Sequence, residues 1–368
     1  MRAITVSSYG ASPLVTELPT PQAGPGQVLI ATRAAGMNPM DMQIADGGWQ
    51  DRVPGTFPMV LGADLAGTVR EDGPGAARFA PGDEVFGQLL IPPLGSTGTY
   101  AQYVAVGEQA PLARIPAGLD PVTAAALPTV GVTAMQLAES LGPLDGKIVV
   151  IVGAAGGVGS FLTQFAAQAG AHVDAVAPAA EATRMTGYGA AETIDRAAMP
   201  LPDAVAHAHP DGIDALVDVA SDAAQFAALA GHVRPGGTAI TTRYIADTDM
   251  LAKAGVTGVN FQLSMTVPLL EGLASRVAAG SIAPPPITRI SLDDVPALLG
   301  GRPTEGKPSS RCRPGLAPDA VPAPPPDATP MIPRVLARIP RSRDPGIPAI
   351  SGLHDFAPAA IPGPGHCT

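Results

Sequence analysis

Cysteine is almost missing from this chain: there are two, Cys312 and Cys367. A disulfide framework and a thiolate zinc centre are therefore excluded from everything before Cys312. Charged side chains are also sparse, 15% of residues against about 25% in an average globular domain. The 22 basic and 32 acidic residues leave a net charge of −10, and nowhere do Lys and Arg gather into a basic cluster. A phosphate backbone would find no electrostatic footprint, so nucleic acid is not an expected partner. No stretch approaches the roughly 18 apolar residues of a membrane span, and the N-terminus lacks a charged start followed by a long apolar run. A cytoplasmic protein with no membrane contact is the expectation. What the chain has in quantity is apolar and punctuating: 46% hydrophobic residues, 43 Gly and 42 Pro over 368 positions. That composition is globular, and the length suggests roughly two domains of about 150 residues.

The punctuation changes along the chain. Up to about residue 120, short alternating runs such as Gln27–Ala31, Leu65–Val69 and Tyr100–Val106 are separated by turn clusters, among them PQAGPGQ and RFAPGDEV. This predicts a compact antiparallel β domain. From about 122 to 260, apolar strand-like runs alternate with helical segments, the pattern of βα units on a parallel sheet. Asp214–Ala220 and Gly237–Thr242 read as strands and Ala223–Val233 as a helix. From 308 onward, fifteen of 61 residues are proline and no regular period survives. Each proline removes a backbone donor, so the tail is expected to form no core helix or central strand and to be disordered.

The strongest motif is KIVVIVGAAGGVGSFLTQFAAQAGAHVDAVA, starting at Lys147. An apolar run to Val152 meets a glycine-rich turn. Phe161, Leu162, Phe165, Ala166 and Ala169 then recur at helical spacing until Gly170, and His172–Ala177 reads as the next strand. In that context glycines let the backbone approach a pyrophosphate, and the helix N-terminus offers it free N–H donors. The spacing predicts a dinucleotide site at Gly153, Ala155, Gly156, Gly157, Val158 and Gly159. The following strand ends Val176-Ala177-Pro178, without the acidic residue that takes a ribose 2′-hydroxyl in NAD binders. Arg184 and Arg196 are available to hold a 2′-phosphate as planar fork donors, which favours NADPH as the cofactor. Thr241, Thr242 and the Val219–Ser221 edge are expected at the C-terminal ends of strands, beside that cofactor. Asp174 lies inside a strand pattern that gives it no role. His207 and His209 form an HAH pair without nearby ligands and read as solvent-facing.

The segments AAGMNPMDMQIADGGW, PMVLGADLAGTV, PGDEVFG, GTYAQYV, AALPTVGVTAMQ and VGAAGGVG occur in the order found in medium-chain dehydrogenase/reductases. Over about residues 1–307 the chain resembles their zinc-independent quinone oxidoreductase branch, which includes zeta-crystallin. The resemblance implies an α/β fold: a GroES-like, mostly β catalytic domain over 1–121 and 266–307, and an inserted doubly wound Rossmann domain over 122–265. It further implies hydride transfer from NADPH to a quinone or other α,β-unsaturated carbonyl. Zinc-dependent relatives hold metal with a Cys and a His-Glu pair; here those places read Ala35-Gly36-Met37 and Gly62-Ala63-Asp64, so no catalytic metal is expected. Asn38 is expected to face nicotinamide and substrate, with bracing of the turn before Pro39 as the rival role. Asp41 is expected to pin that turn. Relatives are often homodimers through the Rossmann sheet edge.

Several relatives carry tyrosine where this chain has Gln43 or Trp49. In 2-enoyl reductases of the superfamily, the tyrosine matching Trp49 is the proton donor, and an indole N–H is too weak an acid to replace it. Gln43 and Trp49 are accordingly read as substrate-binding, Trp49 stacking on a flat quinone or enone or else filling core. Met37, Met40 and Met42 would line an apolar pocket or fill core, and Tyr100 and Tyr103 would pack. An enoyl-thioester reductase, or an NADPH-binding protein without turnover, are the rival functions. Relatives follow a segment like GGRPTEGK with an apolar closing strand; here PSSRC stands there. One added nucleotide before a permissible coding of PSSRC restores Ala-Val-Ile-Thr-Val, so a frameshift is the expected origin of the tail.

Overall fold

The computed structural model describes residues 1–300 and 331–335. The first part of the chain is antiparallel: β1 (Arg2–Val6), β2 (Leu14–Glu17), β3 (Gln27–Gly36), helix α1 (Pro39–Ala45), β4 (Met59–Val60), β5 (Asp64–Asp72), β6 (Glu84–Gln88), β7 (Tyr103–Gly107) and β8 (Leu112–Arg114). Strands β2-β1-β4 form a small sheet, and β3-β5-β6-β8 form most of a larger one, with β7 also on β3. The sequence marks β3 only as far as Ala31, yet it runs on to Gly36. Ala34 and Ala35 there are wholly buried, and alanine carries little strand signal of its own.

The second part begins with α2 (Pro121–Ala125) and α3 (Pro128–Ser140) and continues as β9 (Ile148–Val152), α4 (Gly157–Gln168), β10 (His172–Val176), α5 (Ala182–Gly187) and β11 (Glu192–Ile194). It then runs through α6 (Leu201–Ala208), β12 (Ile213–Asp218), α7 (Ala223–Ala230), β13 (Val233–Thr241), α8 (Thr248–Lys253) and β14 (Thr257–Asn260). The six strands form one parallel sheet in the order β11-β10-β9-β12-β13-β14. The run IVVIV in β9 is buried almost throughout, because a central parallel strand is covered on both faces and β-branched residues fill that space well. The chain leaves β9 towards β10 and returns to β12, so the direction of winding reverses between β9 and β12. Ligands bind open α/β sheets at such a reversal.

One apolar cluster runs from Ala34, Ala66 and Phe86 of the antiparallel sheet through Leu127, Val130, Val132 and Leu137 to Val149, Ile151 and Phe161 of the parallel one. Helix α3 is therefore packed between the two sheets. Close approach is enforced at Gly36, where a Cβ would stand 2.4 Å from the Ala125 carbonyl oxygen. The chain then adds α9 (Val267–Ala278), β15 (Ile287–Ser291), α10 (Val295–Gly300) and β16 (Met331–Val335).

Two expectations need correction here. The proline-rich tail was expected to form no central strand and to be disordered, but β16 pairs antiparallel with β15 from Ile287↔Val335 to Ser291↔Met331. Its register with β3 is the single pair Met331↔Ala34, so Pro333 faces a ladder on one side alone, where a missing N–H is tolerable. The rest of the tail, PSSRC included, lies outside the described residues. Tyr100 was expected on a strand with Tyr103; the strand starts at Tyr103, and Tyr100 sits in a bend, completely buried.

Candidate active site

The ends of the parallel strands are aligned. Val152 of β9 stands in register with Val176 of β10 and Asp218 of β12, and Asp218 with Thr241 of β13. The glycine turn leaves this row at Gly153, whose φ of +88° suits glycine and whose Cβ would come within 2.9 Å of Val219. Gly159 cannot carry a side chain either: its Cβ would lie 2.3 Å from the Gly153 carbonyl oxygen. Helix α4 begins with Gly156 as N-cap and no side-chain cap. Its first backbone bond is Ser160 N–H to the Gly156 carbonyl, 2.9 Å, so the N–H groups of Gly157, Val158 and Gly159 have no partner within the helix. Three uncapped donors at the positive end of a helix dipole are the kind of group that can receive a phosphate.

Arg184 is beside this turn, but not as a free fork. It donates to Glu181 Oε2 at 2.8 Å, Ser160 Oγ at 2.8 Å and the Ala155 carbonyl at 3.0 Å. A guanidinium has five N–H donors, so two remain. Arg196 is exposed just past β11. The sequence missed two carboxylates here: Asp195 accepts from Ala179 N–H at 3.2 Å and Ala197 N–H at 2.9 Å, and Glu181 is paired with Arg184. Thr241 is wholly buried, its Oγ1 accepting from Arg243 N–H at 3.1 Å, and Thr242 follows half-buried. Asp218 was also missed. Its Oδ1 accepts from Ala220 and Ser221 N–H at 2.9 and 2.8 Å, shaping the loop that backs Gly153, and burial raises its pKa.

A second group of polar residues is buried where β3 runs into α1. Asn38, only 5% exposed, N-caps α1 and donates its Nδ2 amide to Asp64 Oδ2 at 3.0 Å. Asp64 also accepts from Thr129 N–H at 3.0 Å and Thr129 Oγ1 at 2.7 Å, and Gln88 Nε2 lies 2.6 Å from that hydroxyl. The network thus binds β5 to the first turn of α3. Asp41 accepts from Asn38 N–H at 2.8 Å and from the Tyr100 hydroxyl at 2.5 Å, so it does pin the turn, and Tyr100 serves more than packing. Burial pushes the Asp41 carboxyl up to about 7 and the Asp64 carboxyl up to about 6, with their hydrogen bonds opposing. Burial, then the adjoining Asp41 carboxylate, raises the Tyr100 phenol well above its ordinary value.

Gln43 is exposed on α1, and Trp49, like Met37, Met40 and Met42, is half-buried against the apolar cluster that holds Ile44, Met59 and Tyr100. Asn38, Gln43 and Trp49 therefore share α1 and its exit. Tyr244, which the sequence did not mark, follows β13 with a left-handed φ of 57°. Burial raises its pKa and Arg52, three residues beyond Trp49, opposes the shift. The 243–245 loop consequently adjoins the loop after Trp49. His209 was expected to face solvent; the structure turns it inward onto Asp174, whereas His207 is exposed.

An antiparallel sheet packed through α3 on a doubly wound parallel sheet, with a glycine cradle at the reversal of winding, defines a dinucleotide-dependent dehydrogenase/reductase architecture. Residues 24–117 match the alcohol dehydrogenase GroES-like domain. A chloroplast envelope quinone oxidoreductase homologue of Arabidopsis thaliana is 32% identical over 232 residues, 60% of this chain and 68% of that protein. A chloroplastic homologue from spinach is also 32% identical, over 53% of this chain and 61% of its own length. The trans-enoyl reductase pgmF of Aspergillus terreus is 37% identical over 156 residues, 41% of this chain and 43% of that protein. Among solved structures, an alcohol dehydrogenase superfamily protein from Novosphingobium aromaticivorans is 31% identical with a TM-score of 0.66, covering 77% of this chain and 88% of the other. The chain belongs to the zinc-independent, quinone oxidoreductase-like branch of the medium-chain dehydrogenase/reductases, a family of oxidoreductases. Among the described residues, both Asp64 carboxylate oxygens are held by hydrogen bonds from Asn38 and Thr129.

Proposed function

We propose that this protein uses NADPH to reduce a quinone or another α,β-unsaturated carbonyl without a catalytic metal. The observation that carries the reading is the unpartnered row of N–H groups at Gly157, Val158 and Gly159, at the reversal of winding. The turn suits a dinucleotide because glycine lets it close tightly: a Cβ at Gly153 would strike Val219, and one at Gly159 would strike the Gly153 carbonyl. When bound, the reduced nicotinamide supplies a hydride to an electron-poor carbon. The chain's own work is positioning and charge stabilisation. Gly153–Gly159 hold the pyrophosphate, Thr241 and Thr242 border it, and the two free N–H groups of Arg184 together with exposed Arg196 take the 2′-phosphate. The second amide hydrogen of Asn38 donates to the carbonyl oxygen that gains charge, and Asp64 keeps that amide in place. Gln43 and Trp49 wall the substrate side.

In this reading residues 1–121 and 266–307 form the catalytic domain and 122–265 the nucleotide domain. The outer edge of β14 is where a second copy would extend the sheet into a homodimer. No described helix is long and apolar enough to cross a membrane, and we place the protein in the cytoplasm. The enoyl-thioester alternative is kept because of the similarity to pgmF. Following NADPH oxidation with phenanthrenequinone and, separately, with a crotonyl thioester decides between the two. Turnover of the quinone alone supports the proposal. Turnover of the thioester alone replaces it, and tight NADPH binding with neither substrate turned over would mark a binding protein.

A further inference from the structure

Asp174 is the most unusual residue outside this site. It is a carboxylate with zero exposure in the middle of β10, on the sheet face of Val150 and Val176, which cluster with Leu201 and Val205 of α6. A buried charge there is costly unless it is paired. Strand alternation puts His172 on the same face two residues earlier. Helix α6 packs over that face and ends at its C-cap, His209. The His209 Nε2 stands 2.5 Å from Asp174 Oδ2, and the His172 Nε2 stands 3.2 Å from Oδ1. Oδ1 is buried without a hydrogen-bond partner. One ligand atom from each of the three residues lies within 4.8 Å of the other two.

We propose that His172, Asp174 and His209 bind one divalent transition-metal ion of the zinc type. Two imidazoles and one carboxylate are the donor set that suits zinc, and they leave a fourth position for water. Bonds of about 2.0–2.1 Å at tetrahedral angles separate adjacent ligand atoms by about 3.3 Å. The His172–Asp174 spacing already matches, and His209 needs to withdraw by less than about 1 Å. Water reaches the group from two sides. The His172 side chain is 45% exposed, and His209 borders a cleft of about 280 Å³ shared with Asp211, His232 and Arg234. The ion would tie β10 to the turn that carries α6 into β12, where Gly212 N–H bonds the His209 carbonyl at 2.9 Å. The site lies back from the strand ends that carry the glycine turn, so its role is to hold the sheet and its covering helix together, apart from hydride transfer.

The test uses the full chain, stripped with a chelator and titrated with Zn²⁺ against a chromophoric competitor, then with Co²⁺. One equivalent should bind, Co²⁺ should give the intense visible absorption of a tetrahedral complex, and Zn²⁺ should raise the melting temperature. His172→Gln changes an exposed side chain and leaves the core intact; it should weaken Zn²⁺ at least tenfold and abolish the thermal shift. His207→Gln should change neither. Absence of stoichiometric uptake would overturn the proposal, as would uptake that survives in a His172→Gln/His209→Gln double variant. None of these readouts depends on nucleotide binding or turnover.

Discussion

Asn38 and Asp64, 26 residues apart in sequence, meet through one buried hydrogen bond in which the Asn38 amide donates to the Asp64 carboxylate at 3.0 Å. The bond aims an amide that would otherwise rotate. Asn38→Ala should lower kcat for phenanthrenequinone roughly 100-fold, the usual effect of losing one aimed donor to a developing oxyanion, with the NADPH dissociation constant unchanged. Asp64→Asn keeps the size but loses one acceptor oxygen, and should cost about tenfold. Steady-state kinetics checks both; an unchanged kcat in Asn38→Ala would remove that residue from the chemistry.

Asp41 and Asp64 make stability depend on pH. Both carboxyls are raised from 3.8, to about 7 and about 6, so the folded chain holds protons that the unfolded chain has released. Their contribution is complete below pH 3.8 and is lost as pH rises through the folded values, at up to about 1.4 kcal/mol per pH unit for each group. Asp41→Asn keeps an oxygen for Asn38 N–H and Tyr100 and removes one titration. Between pH 5 and 8 the melting temperature of the native chain should fall, and that of Asp41→Asn should fall less. Parallel curves would contradict the assignment.

The glycine cradle predicts an effect from a single methyl group. In Gly159→Ala the new Cβ would meet the Gly153 carbonyl at 2.3 Å. The turn must shift, at a cost of about 1–3 kcal/mol in stability, and nucleotide affinity should fall at least tenfold by fluorescence titration. Arg196→Ala leaves the turn alone. It should weaken NADPH roughly tenfold, about the 1.4 kcal/mol expected of one charged hydrogen bond, without affecting NADH; equal weakening of both would take Arg196 away from the 2′-phosphate.

Strand β16 gives β15 its only described ladder, five residue pairs long. A chain ended at Lys307 loses those bonds, each worth about 0.5–1.5 kcal/mol net. It should melt at least about 5 °C below a chain ended at Ala337, since each kcal/mol moves a large domain by about 2–4 °C. Equal melting temperatures in differential scanning calorimetry would show that the strand contributes nothing.

Much of the nucleotide half was legible in the sequence, since strand β9, the glycine turn and α4 are encoded by adjacent residues and one local period. The boundaries of β10, β12 and β13 came within a few residues for the same reason. The polar network was not legible. Thr129 reaches Asp64 across 65 positions and Tyr100 reaches Asp41 across 59, and no local pattern reports a contact made by packing two sheets on α3. The left-handed Tyr244 and the inward turn of His209 escaped likewise, because loop geometry and a helix end decide them. Proline content argued against a central strand in the tail, and missed that Pro333 can sit at a position paired only with β15.

The most direct measurement is titration of the purified full chain with NADPH, followed by quenching of Trp49 fluorescence and by calorimetry. Saturable binding of one nucleotide per chain, weakened by Gly159→Ala, is the predicted result. Failure of either reduced nucleotide to bind, or binding that Gly159→Ala leaves untouched, would contradict a phosphate cradle at Gly157–Gly159.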